Sequence, residues 1–338
     1  MFKKLLDYVV DLIKEEYKFL ISMILIFIIL NFPINYYIFV GGGVSEMSSR
    51  ISVDNKYESK GSFNLSYVVQ LDATVLSYLL SYVIPTWERE SVDSYKYVKT
   101  ESAKDVDFRS DIDLKAANNT ATYWAYTLAD KKIEELSSKL YVISVDNDNF
   151  KSNLKIRDEI ISVDGTTYSS VNEMREYLNT KNASDKIKIK VLRDGNEEEI
   201  ESELTDVDGK LLLGIIIQEL KEYETDPKIQ INFLSSESGP SAGLITTLEI
   251  YNQLTKKDLT KGRKIAGTGT IESDGSIGEI GGIRFKLLGA YKDKVDYFLC
   301  PKDNYKEAKN YIKKNNMKIK LIKVNTIEDA IKKLEELD

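Results

Sequence analysis

Gly239-Pro240-Ser241-Ala242-Gly243, with the apolar run Leu244 to Leu254 directly behind it, is the stretch on which the reading of this chain turns. Upstream, Lys228 to Leu234 has the pattern of a strand, and Ser235-Ser236-Glu237-Ser238 that of a loop. Ser241 therefore falls between a tight turn and a helix start, with its hydroxyl exposed in the positive end field of the helix. That setting suits an attacking oxygen and a developing oxyanion. Serine is also a favoured helix cap, so the segment alone allows either role.

Composition narrows the chemistry. Among 338 residues there is no histidine, which removes Ser-His-Asp and Cys-His arrangements and the usual zinc sites of peptidases. Any hydrolase built from this chain needs another base. The single cysteine, Cys300, lies in the apolar run Tyr297-Phe298-Leu299-Cys300 and reads as a buried strand residue. No metal or cofactor set is expected. The 47 Lys and Arg against 54 Asp and Glu give a net charge of -7, and the basic residues are scattered, which excludes a nucleic-acid footprint.

A second segment supplies the missing base. A strand from Lys264 to Ile271 and a hairpin at Ser273-Asp274-Gly275-Ser276 lead into Gly281-Gly282-Ile283-Arg284-Phe285-Lys286-Leu287-Leu288-Gly289-Ala290. Paired glycines before a helix mark a close backbone approach, and Lys286 sits in the first helical turn, where the dipole disfavours positive charge. With burial, the amine would be neutral enough to take a proton from serine. A solvated surface lysine is the alternative.

Taken together, in this order and at this separation, the two segments resemble the proteolytic domain of the Lon family, over about Asp226 to Asp338. The resemblance implies Ser241 as nucleophile, Lys286 as base and Thr268 as the hydroxyl that holds the lysine, with Gly239 and Pro240 shaping the turn. Lon proteases usually carry an aspartate where Ser238 stands and a glutamate where Thr270 stands. No Gly-x-x-x-x-Gly-Lys-[Ser/Thr] loop occurs in the sequence, so ATP-driven unfolding is not expected.

Upstream, Asn153 to Gly165 resembles the most recognisable part of a bacterial PDZ domain, although Asn153 and Arg157 stand where glycines are usual. PDZ domains bind an extended peptide as an added strand beside a helix; the receiving edge is expected near Leu140 to Val145, next to a helix from Ser170 to Leu178. A role as a mere spacer stays open. Between Ala116 and Lys139, the spacing of Tyr123, Leu128, Ile133 and Leu136 predicts a helix.

At the N-terminus, no charge occurs between Lys18 and Glu46, and Phe19 to Val40 reads as one transmembrane helix, with a cleaved signal peptide as rival. Lys3, Lys4, Lys14 and Lys18 before the span, against Arg50 and Lys56 after it, favour an internal N-terminus. The whole order resembles the bacterial membrane-anchored PDZ-Lon peptidases, whose catalytic part lies outside the cytoplasmic membrane; that likeness extends to Gly61-Ser62-Phe63 and to Leu76 through Tyr82.

The expected chain is thus α+β: a cytoplasmic N-terminus (1–18), a transmembrane helix (19–40), an extracytoplasmic connecting region opening on a glycine turn (41–130), a PDZ-like domain (131–218) and a Lon-type proteolytic domain (219–338). The expected activity is ATP-independent cleavage of peptides or unfolded protein segments at the cell membrane by a single-pass enzyme. Ring formation among Lon-type domains implies a homo-oligomer. A non-catalytic PDZ-mediated binding or assembly protein at the membrane is the competing class.

Overall fold

A computed structural model of the chain describes residues 2–337, with side chains from residue 14 onward; the side chains of Lys3 and Lys4, used above for orientation, lie outside the described residues. The helices in chain order are α1 (Phe2–Leu30), α2 (Val75–Leu80), α3 (Ala103–Leu128), α4 (Val171–Leu178), α5 (Gly243–Leu254), α6 (Ile283–Lys292), α7 (Tyr305–Lys314) and α8 (Ile327–Glu335). The strands are β1 (Pro33–Glu46), β2 (Ile51–Val53), β3 (Ser62–Thr74), β4 (Glu88–Ser91), β5 (Lys132–Val145), β6 (Glu159–Val163), β7 (Lys186–Arg193), β8 (Asn196–Glu203), β9 (Thr205–Val207), β10 (Lys210–Leu212), β11 (Ile215–Asp226), β12 (Ile229–Ile231), β13 (Lys264–Gly267), β14 (Tyr297–Pro301) and β15 (Lys320–Val324). The chain divides into two units, residues 1–41 with 69–95, and residues 42–68 with 96–338.

The first unit corrects the expected membrane span. Helix α1 stops at Leu30, where the Asn31 side-chain amide donates to the Phe27 carbonyl at 2.8 Å. Pro33 then opens a strand whose Tyr36–Phe39 pair antiparallel with Glu88–Ser91. Proline cannot donate to a helix ladder and pushes the preceding residue out of helical geometry, so the apolar run changes conformation there. Tyr37 and Ile38 are buried in protein. The uncharged part of α1, Phe19 to Leu30, spans roughly 18 Å, against a hydrocarbon core of about 30 Å. Among the described residues no helix is long and apolar enough to cross a membrane. The helix nevertheless exposes Phe19, Ile24, Phe27 and Ile29, and the same unit exposes Leu79 and Val83.

In the second unit, β15, β14, β13 and β3 lie side by side in that order, all parallel. Helix α5 is buried along its entire length, and its Leu244, Ile245 and Leu248 form one core with Ala121, Ala125 and Tyr126 of α3 and Ile327, Ala330 and Leu334 of α8. Each of these leucine and isoleucine side chains contributes about 1.5–3 kcal/mol by leaving water. Within α5, Gln253 donates to the Glu249 carboxylate and the Ile51 carbonyl and accepts from the Val53 amide, which fixes β2. The region 41–130, expected as a connection, thus supplies residues of β2, β3 and α3 to this core. The expected glycine turn at Gly41-Gly42-Gly43 is continuous strand within β1.

The expected helix from Ala116 to Lys139 also changes. Ser102 and Asp105 form a reciprocal cap that starts α3 earlier. Asp130, at positive φ, follows its end, and Ile133 and Leu136 fall in β5. Pairing of β5 with β11 along its whole length overrides the local helical spacing.

β11, β5, β6, β7 and β8 form an antiparallel sheet in that order, closed by α4, around Val142, Val163, Met174, Leu178, Ile187 and Ile189. The receiving edge expected at Leu140 to Val145 is not free. β11 pairs along one side of β5, from Ile215 opposite Val145 to Asp226 opposite Lys132, and β6 pairs along the other.

Candidate active site

Ser241 stands in a short 3-10 turn, Pro240–Ala242, that runs directly into α5. Gly239 before it has φ 84 and ψ 157, a backbone geometry that an L side chain could hold only under strain. Its amide donates to the Ser110 carbonyl of α3 at 2.8 Å, which ties the turn to that helix. The loop leading in is held by Glu237, whose carboxylate accepts from Arg50 at 2.7 Å and from the Leu234 amide. Behind the turn, Gly243 lies so close to Ile271 that an added methyl carbon would stand 2.6 Å from the isoleucine side chain. The nucleophile loop is thereby clamped on both sides.

The second half of the site comes from α6. Gly282, at φ 68, caps that helix, and the Lys286 amide makes a hydrogen bond to the Gly282 carbonyl at 3.2 Å. Arg284 lies exposed and pairs with Glu307 at 3.5 Å, whereas Lys286 turns inward and is 4% exposed. Ser66 of β3 donates to the Lys286 carbonyl at 2.7 Å and so anchors the helix to the sheet.

Thr268 lies just past the end of β13, where the chain leaves the sheet. Its hydroxyl donates to the Ser241 carbonyl at 3.1 Å, and the Gly269 amide donates to the same oxygen at 2.9 Å. Lys286 Nζ stands 2.8 Å from Ser241 Oγ and 2.8 Å from Thr268 Oγ1. Because the Thr268 proton is directed at the Ser241 carbonyl, its oxygen accepts from the amine. A neutral amine has one lone pair, and this arrangement leaves it facing the serine hydroxyl. Burial brings the lysine from its ordinary value of 10.5 down to about 7. No carboxylate among the described residues forms an ion pair with it.

All five residues predicted from sequence, Ser241, Lys286, Thr268, Gly239 and Pro240, meet in one place. Ser66, Ser110, Arg50 and Glu237 were not foreseen: all four sit outside the two motifs, and the first three act from segments distant in sequence. Thr270 donates to the Glu272 carboxylate at 2.7 Å, so a carboxylate stands beside the position where the resemblance leads to an expected glutamate. Cys300 is fully buried in β14 and its thiol is pushed up to about 12, which leaves it unreactive. Pro240 has no amide hydrogen, and the first amides of a helical turn lack internal partners, which makes the Ser241 amide a candidate oxyanion donor.

A half-exposed serine hydroxyl lies against a buried lysine that has no carboxylate partner among the described residues, an arrangement that suits serine-type peptidase chemistry without histidine. Comparison with known proteins agrees: residues 234–336 match the family model of the Lon protease (S16) C-terminal proteolytic domain, and residues 127–204 match that of the PDZ domain. The Lon protease of Desulfatibacillum aliphaticivorans is 30% identical over 121 residues, which is 33% of this chain and 14% of that protein. The Lon protease of Fusobacterium nucleatum is 34% identical over 87 residues, 25% of this chain and 11% of that protein. The chain therefore spans about a seventh or less of the length of these curated relatives. A solved PDZ domain of an SdrC-like protein from Listeria monocytogenes is 29% identical, covers 23% of this chain and 85% of its own, and superposes with a TM-score of 0.22. The chain combines a PDZ domain with a Lon-type proteolytic domain in a mixed α/β fold.

Proposed function

We propose that this protein is an ATP-independent serine endopeptidase that cleaves peptides or unstructured protein segments, with Ser241 as nucleophile and Lys286 as general base. The observation that carries the reading is the 2.8 Å contact between Ser241 Oγ and a buried Lys286 amine brought to about 7. Ser241 Oγ attacks the peptide carbonyl carbon while its proton passes to Lys286 Nζ. The Ser241 amide, with a second backbone donor, holds the oxyanion. The lysine ammonium then protonates the leaving amine, and water repeats the cycle on the acyl-enzyme. Thr268 fixes the amine in the required orientation.

The same proposal places the protein at a lipid surface, through the apolar side chains that α1 and the α2 region expose, and sets the catalytic part outside the cytoplasmic membrane. Carbonate washing and protease accessibility on intact cells test that placement. The catalytic reading is tested with Ser241→Ala and Lys286→Ala on a library of unstructured peptides. Loss of cleavage and of labelling by a serine-directed fluorophosphonate in both variants is expected; equal cleavage by all three proteins would sink it.

A further inference from the structure

The turn that bears Ser241 runs into the head of α5, and Gln253 lies in the last turn of that helix, roughly 18 Å away along the axis. Gln253 is buried, and both ends of its side-chain amide are bonded. Its Oε1 accepts from the Val53 amide at 3.0 Å, while Nε2 donates to the Ile51 carbonyl at 3.0 Å and to Glu249 Oε1 at 2.7 Å. Strand β2 has β12 as its neighbour on one side. Towards β12, the Asp54 amide donates to the Lys228 carbonyl at 2.9 Å and the Arg50 carbonyl accepts from the Asn232 amide at 2.8 Å. The Ile51 carbonyl and the Val53 amide face the opposite way, because backbone groups alternate along a strand. A carbonyl and the amide two residues on are the pair that one residue of a parallel neighbour would bind, and the Gln253 amide takes both. It stands where a further strand would.

The strand held in this way carries the approach to the nucleophile. β12 pairs along β2 from Ile229 opposite Val53 to Ile231 opposite Ile51. Beyond the Asn232 contact, the Arg50 guanidinium donates to Glu237 at 2.7 Å, and Glu237 accepts from the Leu234 amide at 2.6 Å. Gly239 and Ser241 follow directly. The far end of α5 is thus tied to β2, β2 to residues 228–237, and those residues to the head of α5, which closes a circuit. Glu249, one turn before Gln253 and equally buried, fixes which way the amide faces. Burial holds the Glu249 carboxyl above the usual carboxylate range, which favours an uncharged acid as the acceptor.

We propose that Gln253, oriented by Glu249, is a positioning residue for Ser241: by standing in for a strand on the open edge of β2, it sets where the loop 232–240 delivers the nucleophile. The proposal rests on the peptidase reading above and assigns a remote determinant to the same site. Loss of the amide frees two buried backbone groups of β2 and lets the loop shift, and a small displacement of an attacking atom lowers the rate of the chemical step.

The test uses the full chain. Gln253→Met keeps the length of the side chain and removes its donor and acceptor; kcat per fluorophosphonate-titrated site is expected to fall about tenfold, with KM within about twofold of the parent. Glu249→Leu should lose a similar factor, and Glu249→Gln, which keeps an uncharged acceptor, should recover most of it. A purely structural role would lower the melting temperature and the number of titrated sites while kcat per site stayed at the parental value, and that result overturns the proposal. Hydrogen exchange on the unsubstituted chain gives a second reading that depends neither on a variant folding nor on catalysis. The Val53 amide should be as protected as the Asn232 amide, and exchange at the rate of an open strand edge overturns the proposal. The two readings fail differently: undiminished cleavage by Ser241→Ala and Lys286→Ala sinks the peptidase itself, whereas inactivity of those two variants beside a parental kcat in Gln253→Met sinks the positioning role alone.

Discussion

Lys286 and Arg109 are cations buried to the same degree, each 4% exposed, in one unit of the molecule, yet they are handled in opposite ways. Arg109 donates to the Glu101 carboxylate at 3.0 Å, and Glu101 also accepts from Ser144 and the Tyr97 amide. The guanidinium lies 3.8 Å over the Tyr97 ring. Its charge is kept and compensated. Among the described residues Lys286 Nζ meets two hydroxyls and no carboxylate, so burial drives the amine toward neutrality instead. Burial with a partner makes a structural joint, here between α3 and β5, whereas burial without a carboxylate makes a base.

The comparison is broken most severely at Lys286. Replacing Lys286 or Ser241 by alanine should lower kcat/KM by about 10⁴-fold or more, with unfolding transitions retained, as steady-state kinetics and thermal melts will show. Removing Arg109 should do the reverse. Arg109→Ala leaves Glu101 buried without its partner and should cost about 3–5 kcal/mol of stability in urea titration, while a paired Arg109→Met, Glu101→Leu change recovers most of it.

The Lys286 site also makes stability depend on pH. A lysine lowered to about 7 in the folded state and ordinary when unfolded binds fewer protons folded than unfolded between those values. Native stability from this group therefore rises as pH climbs from about 7 toward 10.5 and is flat below 7. Lys286→Met, an apolar side chain of similar length, should accordingly gain stability over the parent by more at pH 6 than at pH 10, in paired denaturation curves. A milder change, Thr268→Val, removes the acceptor that orients the amine and should lower kcat by about 10²-fold with KM little altered. The partly exposed Arg50–Glu237 pair sets the small end of the scale. Glu237→Gln should shift stability by no more than about 1 kcal/mol.

How much of this was legible in the sequence follows from the range of each interaction. Ser241 and Lys286 announce themselves because their supporting glycines, Gly239, Gly243 and Gly282, are adjacent in the chain and act on local backbone geometry. The α4 helix and the strands around it follow from local patterning for the same reason. The end of α1 was misread because the apolar run continues through Pro33, and what turns Ile34 to Val40 into strand is pairing with Glu88–Ser91, far along the chain. Ile133 and Leu136 were drawn into β5 by β11 in the same manner. Arg109, Ser66 and Ser110 carry no motif; the roles of Ser66 and Ser110 arise from partners at long sequence separation, and Glu101, eight residues from Arg109, is tied to β5 through Ser144.

The central claim is that Lys286 acts as a neutral amine near physiological pH. Its most direct test is the pH profile of kcat/KM for a peptide substrate without titratable groups, followed from pH 5 to 11. An ascending limb centred near 7 is predicted, reaching a plateau above it, and a limb centred near 10.5 would show an ordinary lysine and contradict the account.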